Sequence, residues 1–294
     1  MKGVALWLAL TSLAVSAPLK VVTTTSMVTD LVKQVGGDSV VVTGLMGPGV
    51  DPHLYKAGAS DVVKLQKADV VFFNGLMLEG KMSELLTRLG KTKRVVAVTR
   101  DLPEERLLHP AAFAGHPDPH VWFDVALWIQ CIPPVVDTLA AADPSRKADY
   151  VDRGAALTKK YEALHAWSLA KSAELPAPRR ILVTSHDAYS YFGRAYGFQV
   201  IGLQGISTVS EAALSDMAKL VDFIKARGLK AIFVESSVPH ATIERISQDA
   251  GVKIGGELFS DAMGTPGQWE NGYDLGTYEG MVKHNLTTIV EALK

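Results

Sequence analysis

The chain has 294 residues, 48% hydrophobic and 21% charged, with a formal net charge of -1. That length buries one large core or two medium ones, and the near-neutral balance gives no sign of a nucleic-acid partner. A single cysteine, Cys131, excludes an internal disulfide; beside Trp128 and Ile129 it is expected to be a buried, inert thiol.

Residues 1–17 read as a secretory leader. Met1-Lys2 supplies a positive start, residues 4–15 are largely apolar, and Ala14, Ser16 and Ala17 suit cleavage after Ser16 or Ala17. The run is too short to span a bilayer, and no later segment is expected to reach the apolar length of a span. No cysteine stands near the cleavage point, so the expectation is a periplasmic protein, exported by its leader, that is not a lipoprotein.

From Leu19 onward, short β-branched runs alternate with helical spacing. Strands are expected at 20–25, 40–45, 69–74 and 94–99, with helices at 28–35, 59–66 and 79–89 between them. Such alternation marks βαβ units around a parallel sheet. Residues 145–175 break the pattern: they contain no proline and one glycine, Gly154, and Leu157, Tyr161 and Leu164 keep helical spacing along a charged segment. This predicts one long helix, with Asp143-Pro144 as its capping start and Pro176 and Pro178 as its end. After it the alternation restarts, with strands at 180–184, 199–202, 231–235 and 253–258. The fold class is therefore α/β, in two lobes. Each has a mostly parallel sheet flanked by helices, and one long rigid backbone helix joins them. The divisions fall at 18–143, 144–175 and 176–294.

Four donors fall where strands end: His53, His120, His186 and Asp261. The first two share one wording, Asp51-Pro52-His53 and Asp118-Pro119-His120; the others stand in Ser185-His186-Asp187 and Ser260-Asp261. Ligands of open α/β sheets bind beyond the carboxyl ends of the strands. Three imidazoles and a carboxylate make a complete set for a divalent transition metal. The proline before each of His53 and His120 stiffens the approach to the donor. Glu235, ending an apolar strand, needs a buried partner, so it is expected to hold a ligand histidine from behind, or else to be a ligand itself. His109, His116, His165, His240 and His284 read as structural or surface residues.

These motifs, in this order, resemble the zinc- and manganese-binding solute-binding proteins of ABC transporters, closest to the TroA-type branch (cluster A-I). The resemblance rests on Leu45-Met46-Gly47-Pro48-Gly49-Val50-Asp51-Pro52-His53, Asp118-Pro119-His120-Val121-Trp122-Phe123-Asp124, Thr184-Ser185-His186-Asp187-Ala188, Phe233-Val234-Glu235-Ser236-Ser237 and Leu258-Phe259-Ser260-Asp261-Ala262. It implies two α/β lobes joined by a long helix with the metal between them, and ligands at His53, His120, His186 and Asp261. The manganese-dedicated branch typically has glutamate at the third position, where this chain has His186. The zinc-dedicated branch often has a His-rich loop, whereas residues 100–118 hold only His109 and His116.

The expected function is capture of a divalent metal as cargo, Zn2+ favoured over Mn2+ or Fe2+, and its delivery by a monomer to an ABC permease at the inner membrane. The chain is then not an enzyme. A secreted zinc hydrolase is the rival reading. It requires an open coordination position, which four protein donors would fill, and no His-Glu-x-x-His motif occurs. A metal-dependent surface adhesin is the third.

Overall fold

The computed structural model describes residues 17–113 and 115–294, so the expected leader lies outside the described residues except for Ala17. Strands β1 (Leu19–Thr23), β2 (Val40–Gly44), β3 (Val70–Phe73) and β4 (Arg94–Ala97) form a parallel sheet in the order β2-β1-β3-β4. Helices α1 (Ser26–Gly36), α2 (Ala59–Lys67) and α3 (Ser83–Leu89) connect them. Alternate residues point to opposite faces of a strand. Accordingly Val21, Val70 and Phe72 enter the large central core, while Val22 and Val71 enter a smaller cluster with Leu65 and Leu86 of α2 and α3. Both faces are covered, which is why these strands read as unbroken apolar runs.

Next come α4 (Val125–Trp128), α5 (Ile132–Ala142) and the long α6 (Lys147–Ser172). The run Val125–Ala142 does reach the length and apolarity of a membrane span, contrary to expectation. Its composition has a packing cause: Trp128, Val135 and Leu139 are fully buried in the central core. Cys131 is buried there too, and burial pushes its thiol pKa up.

The expected long helix divides into a single 3-10 turn, Pro144–Arg146, and α6 of 26 residues, about 39 Å long at 1.5 Å per residue. Asp143 does not cap it. The carboxylate takes the Ser145 hydroxyl instead, and Arg146 occupies the position before α6. Gly154 lets α6 approach α5: a Cβ there would stand 2.6 Å from Val136 Cγ2.

The second lobe contains β5 (Ile181–His186), α7 (Ser190–Tyr196), β6 (Gln199–Gln204), α8 (Leu214–Arg227), β7 (Ala231–Glu235), α9 (Ala241–Ala250) and β8 (Lys253–Leu258). After them come a short antiparallel hairpin, β9 (Trp269–Glu270) with β10 (Tyr273–Asp274), and the terminal helix α10 (Tyr278–Leu293). Its parallel ladders are β5–β6 and β7–β8, with β5 lying against β7. The β7–β8 register shifts between Ile232 and Val234. Side chains alternate as in the first lobe: Leu182, Ala231 and Phe233 face the central core, whereas Val183, Ile232 and Val234 pack under α8 and α9. One core is thus shared by the inner faces of both lobes. Trp128, Tyr161 and Tyr278, from α4, α6 and α10, meet inside it.

Candidate metal centre

The ends of β5 and β8 and the loops after β2 and β4 place the four donors. His53 lies in the loop after β2, where Asp51 Oδ1 accepts its backbone N–H at 2.8 Å. His120 sits at the end of a long excursion after β4. Asn74, just beyond β3, steadies that loop by donating its side-chain amide to the Pro119 carbonyl at 3.1 Å. His186 is the last residue of β5, and Asp261 follows β8. Three further side chains pin the Asp261 turn. The Trp122 indole donates to Ser260 O at 3.0 Å, the Tyr189 hydroxyl to Phe259 O at 3.1 Å, and Asn285 holds both the N–H and the carbonyl of Phe259.

All four donors are buried and offer ligand atoms within 4.8 Å of one another. His53 Nε2 faces His120 Nε2 at 3.3 Å. Asp261 lies 3.4 Å from His120 Nε2 through Oδ1, and through Oδ2 it lies 3.3 Å from His186 Nε2 and 3.6 Å from His53 Nε2. Donors bound tetrahedrally at 2.0–2.1 Å must stand roughly 3.3–3.4 Å apart, so these separations fit a zinc-sized coordination sphere. Buried polar atoms normally find partners. Yet His186 Nε2 and both Asp261 oxygens lack a hydrogen bond. A cation among them would answer that deficit.

Carboxylates stand behind two of the rings. Asp118 Oδ1 accepts the His120 backbone N–H at 3.0 Å and lies 2.7 Å from Nδ1. Glu235 accepts the His186 backbone N–H at 2.9 Å through Oε1 and places Oε2 2.6 Å from Nδ1. Each leaves Nε2 turned to the common point. Among the described residues, Asp261 is the one carboxylate the His53 ring meets.

The electrostatics follow this wiring. Burial lowers the His53 pKa to about 3, against the attraction of Asp261 and with help from the other two rings. Burial also works against charge on His120, but Asp118 and Asp261 outweigh it and hold that ring up to about 9. Glu235 and Asp261 likewise overcome burial and raise His186 well above the ordinary range. Burial would raise Asp261, yet His186 and His120 hold it well below the usual carboxylate range.

The other five histidines stand outside the cluster. His116 is exposed, while His109 pairs with Glu104 at 3.0 Å. His165 lies beside the Tyr196 hydroxyl, His240 on the Glu235 carbonyl, and His284 between Glu270 and the Glu257 carbonyl. Two contributors have no role assigned from the sequence, Asp118 behind His120 and Trp122 against the Asp261 turn. The repeated Asp-Pro-His wording carried the first; nothing local carried the second, whose partner is 138 positions away.

A cleft bounded by two parallel α/β lobes, with three imidazoles and a carboxylate converging from strand ends on both sides, defines a metal-binding class of protein. Residues 21–292 match the family described as zinc-uptake complex component A, periplasmic, and the chain belongs to that family. It is 49% identical over 280 residues to the zinc-binding protein TroA of Treponema pallidum, covering 93% of this chain and 88% of that one. It is 44% identical over 281 residues to the manganese-binding lipoprotein MntA of Bacillus subtilis, with 94% and 90% covered. The solved structure of the periplasmic zinc-binding protein TroA from Treponema pallidum superposes with a TM-score of 0.89 at 46% identity, covering 94% and 99% of the two chains.

These relatives correct one expectation. The MntA protein is named a lipoprotein, as are relatives from Streptococcus mutans and Streptococcus pyogenes, 30% and 32% identical. The reading of a periplasmic protein that is not a lipoprotein rested on a missing cysteine near the leader, a segment outside the described residues. Its exclusion of a lipoprotein is overturned by relatives of the same family that are named lipoproteins.

Proposed function

We propose that this chain captures one divalent transition metal through His53, His120, His186 and Asp261 and delivers it to an ABC permease. The observation that carries this reading is the convergence of four buried donors whose ligand atoms lie within 4.8 Å of one another, with His186 Nε2 and both Asp261 oxygens short of a hydrogen-bond partner. Asp118 and Glu235 orient the His120 and His186 rings so that Nε2 faces the ion.

Zinc is the favoured cargo, because three nitrogen donors suit it and it binds such a set more tightly than manganese does. Manganese and iron remain within the reach of a carboxylate that can present two oxygens, and relatives are named for each of these metals. Four protein donors fill a tetrahedral sphere and leave no position for a reactive water, which favours a carrier over an enzyme. The carrier acts as a monomer, with lobes at 18–143 and 176–294 and the helical link between them. That link restricts release to local rearrangement around the donors.

Elemental analysis of protein purified without added metal, followed by zinc–manganese competition, tests the reading. About one equivalent of bound metal is expected, with zinc the tighter of the two. Metal binding that is unaffected by His186→Ala would overturn the ligand set.

A further inference from the structure

The two Asp-Pro-His turns are spelled alike and wired differently. Asp118 turns Oδ1 to its own histidine, meeting both backbone and ring. Asp51 holds the His53 backbone N–H on Oδ1 but turns Oδ2 across the cleft, where it accepts the Thr208 hydroxyl at 2.5 Å. Those partners are 157 positions apart and belong to opposite lobes.

Thr208 lies in the segment between β6 and α8, and the start of that segment is tied to the third histidine. His186 pairs with Gln204 in the β5–β6 ladder, and the Asp187 N–H donates to Gln204 O at 3.1 Å and Gly205 O at 3.3 Å. Ile206 is buried, whereas Val209, just past Thr208, is 60% exposed, so Thr208 stands at the rim. From the other side, Gly49 approaches the second lobe so closely that a Cβ would meet Ser236 O at 3.4 Å. Its φ of +69° also favours glycine there. One run of bonds therefore passes from the His186 strand end through Gln204 and Gly205 to Thr208, then through Asp51 to the His53 loop.

We infer that Asp51 and Thr208 form a clasp that closes the His53 loop onto the second lobe and sets the rate at which bound metal leaves. The inference rests on the metal-binding reading of the four donors. His120 and His186 each have a carboxylate at Nδ1, so their rings are held within their own surroundings. The His53 ring meets no such second carboxylate among the described residues, and its position depends on the backbone of its loop. Opening the clasp withdraws His53 and leaves a three-donor set that water can enter. Asp51 and Thr208 are positioning residues; neither side chain belongs to the donor cluster.

The test is stopped-flow release of zinc from loaded protein into excess chelator, with association measured separately. Thr208→Val keeps the shape and removes the hydroxyl. Release is expected to quicken about tenfold, the scale of one hydrogen bond to a charged group, while association stays within about twofold. The unfolding midpoint of the metal-free variant should stay within about 2 °C of the parent, and Thr208→Ser should restore slow release. A Thr208→Val release rate equal to the parent's would overturn the clasp. So would faster release accompanied by a lower midpoint and no rescue by serine, since that outcome marks general loosening. Failure of the parent protein to load zinc, manganese or iron would instead remove the metal reading beneath it.

Discussion

The lobes meet at two places built on opposite principles. At the base, Trp128, Tyr161 and Tyr278 are fully buried, with ring centroids 5.8 Å and 4.9 Å apart, inside the core shared by both sheets. At the mouth the contacts are polar: four donors, the carboxylates behind them and the Asp51–Thr208 bond. Burial of apolar surface is non-directional and contributes about 1.5–3 kcal/mol per large side chain, so the base holds the lobes together whatever occupies the cleft. At the mouth, His120 and His186 face Asp261 at 3.4 Å and 3.3 Å, a buried charge pairing that a bound cation replaces. Orientation and responsiveness are thereby assigned to different parts of one interface. Changes at the mouth should register first in affinity, and changes at the base in stability alone.

Asp261→Asn gives the largest separation. It keeps the shape but removes the one negative charge facing all three imidazoles. Zinc affinity should fall by at least about 100-fold, beyond the range for an orienting residue. Because Asp261 also faces the raised His120 and His186, its loss should lower the metal-free unfolding midpoint at neutral pH, so affinity is compared well below that transition. Titration against a competing chelator, paired with thermal melts, decides it; parental affinity would break the comparison.

Glu235→Gln sharpens the same side of it. The amide oxygen can still accept the His186 backbone N–H, but its NH2 group would face Nδ1 as a donor. That favours the tautomer with its proton on Nε2, which points the wrong face at the ion. Affinity should drop about 10–100-fold, and Asp118→Asn should do the same at His120. Isothermal titration of both variants is the measurement, and an effect confined to one would show that the two rings are not equivalently held.

Proton release sets the next scale. Metal requires neutral imidazoles. In the metal-free site His53 is already neutral, with its pKa near 3, whereas His120 holds its proton up to about 9 and His186 is raised as well. Loading at neutral pH should therefore expel protons, and affinity should rise with pH towards about 9. Stability of the metal-free protein should move the other way. A histidine raised on folding adds stability that is complete below its unfolded pKa, about 6.5, and is lost as pH rises through its folded value. For His120 that window runs from about 6.5 to about 9. Titrations in buffers of differing ionisation heat would count the protons, and a pH-independent affinity would contradict the assignment.

The alternation of strands and helices was legible because each strand is covered on both faces, and that coverage is written as local apolar runs. Residues 231–235 and 253–258 coincide with β7 and β8 end to end, while the runs ending at Thr25 and Thr99 overreach β1 and β4. There the chain stays buried after the ladder has ended: Thr24, Thr25, Val98 and Thr99 are all buried. The four donors were legible as residue types at strand ends. Their partners were less so. Glu235 announced itself as a carboxylate closing an apolar strand, but Trp122 to Ser260 and Asp51 to Thr208 are bonds between distant segments with no periodic trace. Asp143 misled because Asp-Pro reads as a helix start, while a neighbouring serine competes for the same carboxylate.

Gly154→Ala probes the base with the smallest change. Helix propensity alone favours alanine over glycine by about 1 kcal/mol. The new methyl, however, would stand 2.6 Å from Val136 Cγ2. Valine is stiff at χ1, so the strain passes to the packing of α5 against α6, at about 1–3 kcal/mol. The clash should win, leaving a net loss of about 1 kcal/mol and a midpoint lower by about 2–4 °C by calorimetry. Zinc affinity should stay within about twofold of the parent, because no donor or orienting carboxylate lies on α5 or α6. If affinity instead falls in step with stability, base and mouth are one cooperative unit, and the helix pair sets the donor geometry as well as the lobe orientation.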